Sequence, residues 1–232
     1  MRILALDAST EMCAVALGGD EGFVERSAVA GQRHSELLLP MIQALLADTG
    51  IGVNALDGIA FGSGPGSFTG LRIACGVAQG LALGAGLPVI GVPTLLAMAE
   101  AARLRDGSGR VIAALDARMR EVYVAAYEYE GTSWRARVAP AVVAPEAAPL
   151  PTGSNWFGAG GGFGAYPALR ERLQSALTGC DSGITPTASA LGALGLLAFA
   201  AGEGVAARDA APLYVRHRVA LTTAERAAGS IL

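Results

Sequence analysis

Ala5-Leu6-Asp7-Ala8 returns later in the chain as Ala114-Leu115-Asp116-Ala117, and at the same offset of 109 residues Val15-Ala16 returns as Val124-Ala125. Two matched pieces in one register predict an internal duplication, hence two related lobes. The first copy sits in Arg2 to Ala8, an apolar run without helical period that ends in Asp7-Ala8-Ser9-Thr10, the pattern of a buried strand. Met12 to Leu17, closed by Gly18-Gly19-Asp20, reads as the second arm of a hairpin, and Phe23 to Ala30 as a third strand.

Working outward, His34 to Leu46 has apolar residues at helical spacing (Leu37, Leu38, Met41, Leu45, Leu46), with Pro40 tolerable only near a first turn. Asp57 to Gly62 reads as a strand, followed by the loop Gly62-Ser63-Gly64-Pro65-Gly66 and a helix from Ser67 or Phe68 to about Gly84. Leu87 to Val92 is a strand and Thr94 to Arg103 a helix. Three meandering strands followed by alternating helices and strands give a mixed α/β sheet with helices on its faces, an order resembling the ribonuclease-H-like core. The second half begins near Arg110, after Arg105-Asp106-Gly107-Ser108-Gly109. The predicted domains are 1–106 and 107–232, the second smaller and degenerate, its last segment packing back on the first. Within it, Ala139 to Thr152 reads as an irregular connection, and Tyr166 to Leu177 and Ala188 to Ala201 as helices.

Composition narrows the chemistry. Of 232 residues, 52% are hydrophobic, 16% charged and 32 are glycine. All 17 basic residues are arginine. Without lysine there is no Walker A loop, no Schiff base and no lysine phosphate clamp. Two histidines, His34 and His217, exclude a multi-histidine metal site. Cys13, Cys75 and Cys180 are scattered, as suits a reducing compartment. A net charge of −3 and a pI near 5.4 provide no basic field for tight nucleic-acid binding by this chain alone. Two stretches lack charge, Ile73 to Ala99 and Ser182 to Gly202, but the first is punctuated by Gly80, Gly84, Gly86, Pro88, Gly91 and Pro93, and the apolar part of the second is too short to span a bilayer. Asp7 comes too early for a signal peptide. The expectation is a cytoplasmic protein away from the membrane.

Several residues invite chemistry and admit a plainer role. The loop carrying Gly64 and Gly66 runs into a helix N-terminus, a place that favours an anion, or is simply a tight turn; it fails the dinucleotide fingerprint at Ser67. Asp7, with the hydroxyls of Ser9 and Thr10, either faces phosphates or caps a hairpin, and Asp116 holds the matching place. Arg118, Arg120 and Glu121 follow it, as a site or as a solvated strand edge. His34, at a helix start beside Ser35 and Glu36, reads as a cap or packing residue. Gly76, Gly80 and Gly84 recur every four residues, each about 1 kcal/mol worse than alanine in a helix. That face packs within its own domain, admits a partner's close approach, or reflects compositional drift. Asn155 to Gly164 is a flexible turn or a vestigial nucleotide loop.

Leu4-Ala5-Leu6-Asp7-Ala8-Ser9-Thr10, Gln32-Arg33-His34-Ser35-Glu36-Leu37-Leu38-Leu39-Pro40 and above all Gly64-Pro65-Gly66-Ser67-Phe68-Thr69-Gly70-Leu71-Arg72-Ile73 resemble the TsaB (YeaZ) family. Asp116-Ala117-Arg118 to Tyr123 and Pro212-Leu213-Tyr214-Val215-Arg216 also fit. The resemblance spans nearly the whole chain and is weakest from about 130 to 200. It implies two ribonuclease-H-like lobes of the actin-like ATPase superfamily and a role in making N6-threonylcarbamoyladenosine beside the tRNA anticodon. It implies a catalytic paralogue, TsaD, and an ATPase, TsaE, as partners. It further implies a homodimer when alone, tRNA contact only through the complex, and no cofactor of this chain's own, with ATP and Mg²⁺ belonging to the assembly. The paralogue carries Val-Asn-His-x-x-x-His after the equivalent strand. Here the two histidine positions fall on Thr94 and Met98, which cannot make that metal site.

The family pairs through the helices equivalent to His34–Leu46 and Ser67–Gly84. That places His34, Leu37, Leu38, Met41, Leu45, Thr69, Arg72, Ile73, Gly76, Val77 and Gly80 at the expected interface. An apolar stripe of Leu38, Met41, Ile42 and Leu45, wetted until a partner arrives, is the physical motive. Asp7, Ser9, Thr10, Gly64, Gly66 and Asp116 form the expected vestigial nucleotide site. The alternative function is a small ATP-dependent kinase or ATPase of the same fold, using Asp7 and Asp116 around Mg²⁺; the missing lysine counts against it. A peptidase lacks any Ser-His-Asp or metal constellation.

Overall fold

The structure, a computed structural model, describes residues 1–216; His217 and the rest of the expected second domain, 217–232, lie outside the described residues. Among those described, ten strands form two sheets. The first holds β1 (Arg2–Asp7), β2 (Met12–Gly19), β3 (Gly22–Val29), β4 (Gly58–Gly64) and β5 (Val89–Pro93) in the order β3-β2-β1-β4-β5. The second holds β6 (Arg110–Arg118), β7 (Glu121–Tyr129), β8 (Trp134–Val143), β9 (Trp156–Ala159) and β10 (Leu177–Asp181) in the order β8-β7-β6-β9-β10. Each is an antiparallel three-strand meander extended by two parallel strands.

The two sheets therefore share one topology, and Asp7 and Asp116 occupy matching places near the ends of their central strands. The second matched piece is a residue out of step. Leu6 faces Val15, but Leu115 faces Tyr123, while Val124 faces Ala114. The turn is the cause. Ala8 to Glu11 link β1 to β2, whereas only Met119 and Arg120 link β6 to β7, with Arg118, Met119 and Arg120 at φ 61°, 55° and 60°. So Val15-Ala16 and Val124-Ala125 are not structural equivalents.

Helices and sheets alternate in layers. α1 (His34–Thr49) and α2 (Phe68–Ala85) cover one face of the first sheet, where Leu4, Leu6, Val15 and Leu17 meet Leu38, Ile42, Leu45, Ala74 and Ala78. α3 (Thr94–Asp106) and α6 (Ala188–Ala200) lie between the sheets. α4 (Gly162–Ala165) and α5 (Pro167–Leu173) close the outer face of the second sheet against Ile112, Val124 and Trp156. Because β1 is covered on both faces, it reads as a continuous apolar run rather than an alternating one. The middle layer is lean: Ile3, Ala5, Ala14, Ala16 and Ala60 face α6, and a Cβ at Gly195 would press on Ala60 and Ile3. Part of the alanine and glycine surplus is thus close packing.

Four expectations need correction. α1 runs to Thr49, with Pro40 in its second turn on the solvent side; water can satisfy the carbonyl that loses its N–H partner. β8 passes through Ala139 to Val143, including Pro140, where an irregular connection was expected. β8 is an edge strand, and its pairing shifts between Val124 and Ala126, so a missing N–H is tolerated. α5 ends at Leu173, and Leu177 opens β10, which pairs with β9 instead of continuing the helical spacing. Asn155 to Gly164 is neither a flexible turn nor a free loop but β9, a bend at Gly160 and α4.

The charge-free stretch from Ile73 to Ala99 resolves into α2, β5 and α3. With 18 residues and a mean hydropathy of 1.2, α2 is long and apolar enough to cross a bilayer. Here its Leu71, Ala74, Cys75, Ala78 and Ala82 are buried against the first lobe.

Candidate functional site

The glycine loop after β4 stands against the β1–β2 turn. Asp7 is fully buried, and its Oδ2 accepts from Ser9 N–H (3.2 Å) and Ser9 Oγ–H (3.0 Å). Burial pushes the Asp7 carboxyl up to about 7, against the pull of the Ser9 bonds. Its Oδ1 finds no partner among the described residues and lies where a Cβ on Gly62 would be. The other loop glycines are filled in the same way. A Cβ at Gly66 would overlap the Ser9 carbonyl oxygen, and one at Gly70 the Ala8 carbonyl oxygen. Ser67 N–H, at the head of α2, donates to Ser9 O at 2.7 Å, and Ser67 Oγ caps the helix by accepting from Gly70 N–H.

Thr10 is used in the same turn. Its Oγ1 accepts from Met12 N–H, and its carbonyl lies 2.9 Å from His34 Nε2. His34 is a buried packing residue joining α1 to the hairpin. Thus Asp7, Ser9, Thr10 and Gly66 do come together, but the space at the glycines is taken by the Asp7 carboxyl and by the protein's own backbone. A nucleotide triphosphate does not fit this arrangement: the loop is packed and its neighbouring carboxyl is buried. Gly64, at φ 122°, lies under the Leu213 carbonyl. Asp116 stays apart from this group, accepting from Tyr166 Oη–H (2.7 Å) and Arg118 N–H (2.8 Å).

Thr94 and Met98 are both fully buried at the start of α3. The Met98 methyl occupies the place a side chain on Gly160 would take, and Gly160 begins the bend between β9 and α4. Met98 packs between the lobes with Leu95, Val111 and Ile184, while the buried Thr94 hydroxyl has no hydrogen-bond partner among the described residues. Among the described residues no cluster of three or more His, Cys, Asp or Glu could hold a metal.

The outer face of α2 is different. Thr69, Arg72, Gly76 and Gly80 are exposed, Ile73 and Val77 half-buried. A Cβ added at Gly76, Gly80 or Gly84 would meet no atom of the described residues within 4 Å. Among the described residues, the glycine face therefore does not pack within its own domain. Leu83 beside it is 77% exposed, and Phe68 at the helix start 52%. The α1 part of the expected interface needs correction. Leu38, Ile42 and Leu45 are at most 1% exposed and belong to the core beneath α1. Only Leu37 and Met41 keep partial exposure. An amphipathic stripe reports a buried face, and this one is already covered by the chain's own sheet.

The chain beyond α6, whose last segment is expected from the sequence to pack back on the first domain, borders this surface, though none of its residues stood in the expected interface. Val205 bridges Val89 at the outer edge of β5. Ala210 O accepts from Gln79 Nε2 of α2 at 2.9 Å, and Leu213 N–H donates to Ser63 O at 2.7 Å. Arg72 Nε donates to Tyr214 Oη at 3.2 Å, its guanidinium lying 3.8 Å from the centre of the Phe68 ring. The only sequence signal was Pro212-Leu213-Tyr214-Val215-Arg216, which carried resemblance but no periodicity.

Known proteins are similar to this chain over nearly its whole length. Residues 24–157 match the family model described as TsaD, tRNA N6-adenosine threonylcarbamoyltransferase. The chain is 41% identical over 225 residues to tRNA threonylcarbamoyladenosine biosynthesis protein TsaB of Escherichia coli (strain K12), covering 95% of this chain and 96% of that protein. It is 39% identical over 230 residues to the protein of the same name from Haemophilus influenzae, covering 94% and 95%. The solved structure of YeaZ from Pseudomonas aeruginosa superposes with a TM-score of 0.86 at 42% identity, covering 92% of this chain and 99% of that one.

Proposed function

The chain belongs to the TsaB family of tRNA threonylcarbamoyladenosine biosynthesis proteins, and from that premise we propose that it is a non-catalytic pairing subunit. The outer face of α2, flanked by Leu37 and Met41 of α1, receives a catalytic paralogue of the TsaD kind. The ATPase TsaE joins that pair, and a second copy of this chain takes the same face when no paralogue is present. The tRNA is met through the complex in the cytoplasm. This chain needs no cofactor of its own, ATP and Mg²⁺ belonging to the assembly. The packed glycine loop and the burial of Thr94 and Met98 support the division of labour.

One observation carries the reading: Gly76, Gly80 and Gly84 open onto empty space. Each weakens an exposed helix by about 1 kcal/mol relative to alanine, and nothing among the described residues compensates. Close approach of another helix backbone does compensate, because the missing side chains bring two axes together. Gly80→Arg is expected to leave the single chain folded, since the side chain enters solvent, and to remove only the stabilisation that self-pairing adds, so that its unfolding midpoint no longer depends on protein concentration. It is expected to weaken pairing with the paralogue at least about tenfold, the equivalent of one misfitted contact of 1.4 kcal/mol. Titration by calorimetry or co-purification reads this, and wild-type affinity for the variant would refute the interface. Reconstituted tRNA modification that proceeds equally well without this chain would refute the subunit role itself.

A further inference from the structure

The two lobes are joined covalently through α3, between β5 and β6, and by the return of the chain into α6. Both helices lie in the layer between the sheets. At the other end, near the closing ends of β1, β4 and β6, a second connection is made by side chains and backbone of residues 205–216. That segment is anchored to the first lobe at Val89, Cys75, Gln79, Ser63 and Arg72. Its last described residue then reaches the second lobe. Arg216, with a side chain 11% exposed, donates from Nη2 to Ala117 O at 3.0 Å and to Glu121 Oε2 at 2.6 Å. Its Nη1 lies 3.0 Å from Met119 Sδ, and its guanidinium carbon 5.9 Å from the centre of the Tyr123 ring.

These contacts fall on the β6–β7 turn, where Arg118, Met119 and Arg120 are all in the left-handed region. Non-glycine residues hold that conformation at a cost and keep it when neighbours over-determine it. A guanidinium bonded to the carbonyl before the turn and to the carboxylate after it is such a neighbour. We infer that residues 205–216 are a latch: the middle layer is the hinge of the two lobes, and Arg216 gripping the β6–β7 turn closes them at the opposite end. The inference concerns the single chain and does not depend on pairing.

Hydrogen exchange on the isolated full-length chain tests it. Arg216→Ala is expected to speed exchange at Leu213 N–H and through residues 117–121 by at least about tenfold, as loss of a charged hydrogen bond does. The amides of β1 and β4 are expected to stay as they are. Arg216→Lys keeps the charge but loses the Nη1 contact with Met119 Sδ and the planar group near the Tyr123 ring, and is expected to fall between. Adding Glu121→Gln to Arg216→Ala is expected to change nothing more, since both remove one contact. Unaltered protection at Leu213 in Arg216→Ala would show that the first lobe alone holds the segment and would overturn the latch. So would faster exchange of equal size throughout the chain, or effects of the two substitutions that simply add.

Discussion

Gly70→Ala is expected to destabilise the fold by about 3 kcal/mol or more, while Gly76→Ala in the same helix is expected to stabilise it by up to about 1 kcal/mol. The substitution is identical; the surroundings decide the sign. At Gly70 the new methyl would overlap the Ala8 carbonyl oxygen, with the Ala8 carbonyl carbon 3.0 Å away and the Ser67 Cβ at 3.3 Å. The obstacle is backbone, fixed by the β1–β2 turn on one side and the start of α2 on the other, so no side chain can step aside. At Gly76 the methyl meets nothing within 4 Å among the described residues and only restricts the unfolded chain. Urea titration of both variants at one pH measures the pair. A Gly70→Ala chain as stable as wild type would mean that the loop does not press on the turn.

Asp7 gives the second large effect, visible as a pH dependence. Burial raises its carboxyl from 3.8 to about 7 in the folded chain. Between those values the folded state keeps the proton and the unfolded state has lost it, so stability falls as pH rises. Below about pH 4 both states are protonated, and above about pH 7 neither is, so the loss is confined to that window. Three units at 1.36 kcal/mol each amount to about 4 kcal/mol. Asp7→Asn cannot titrate. It is therefore expected to gain about that much on the wild type between pH 4 and pH 7, whatever constant offset the amide introduces. Unfolding free energies of the two proteins at several pH values decide it; parallel curves would place the carboxyl's titration in its ordinary range.

The fold was largely legible because its central strands are covered on both faces. An apolar run such as Arg2 to Asp7 leaves no helical alternative, and its acidic end marked the repeat at Asp116. β8 was hidden because Pro140 argues against a strand except at an edge, and a sequence does not say which strand will be the edge. Leu173 and Leu177 stood at helical spacing, yet the second lobe needed a fifth strand at Leu177. The site was less legible than the fold. Leu38 and Leu45 form a stripe that sequence alone cannot assign to an inner sheet or to a partner, and packing assigned it inward. Gly62, Gly66 and Gly70 look like a phosphate cradle because both uses demand a missing side chain. Only geometry shows the space filled by Asp7, Ser9 and Ala8. Gly76 and Gly80 went the other way, their missing side chains leaving open space.

Met98 and Gly160 hold a consequence for substitution. The methyl of Met98 fills the void left by the absent side chain at Gly160. A histidine introduced at 98 would bring a polar ring into a site shaped for a thioether, and one at 94 would enter a fully buried position beside it. A larger residue at 160 is excluded whatever stands at 98, because its Cβ would overlap the Ala114 carbonyl oxygen and φ there is 110°. The constraint therefore runs one way: Gly160 is held by backbone, and the residue at 98 must fit the space that this glycine leaves.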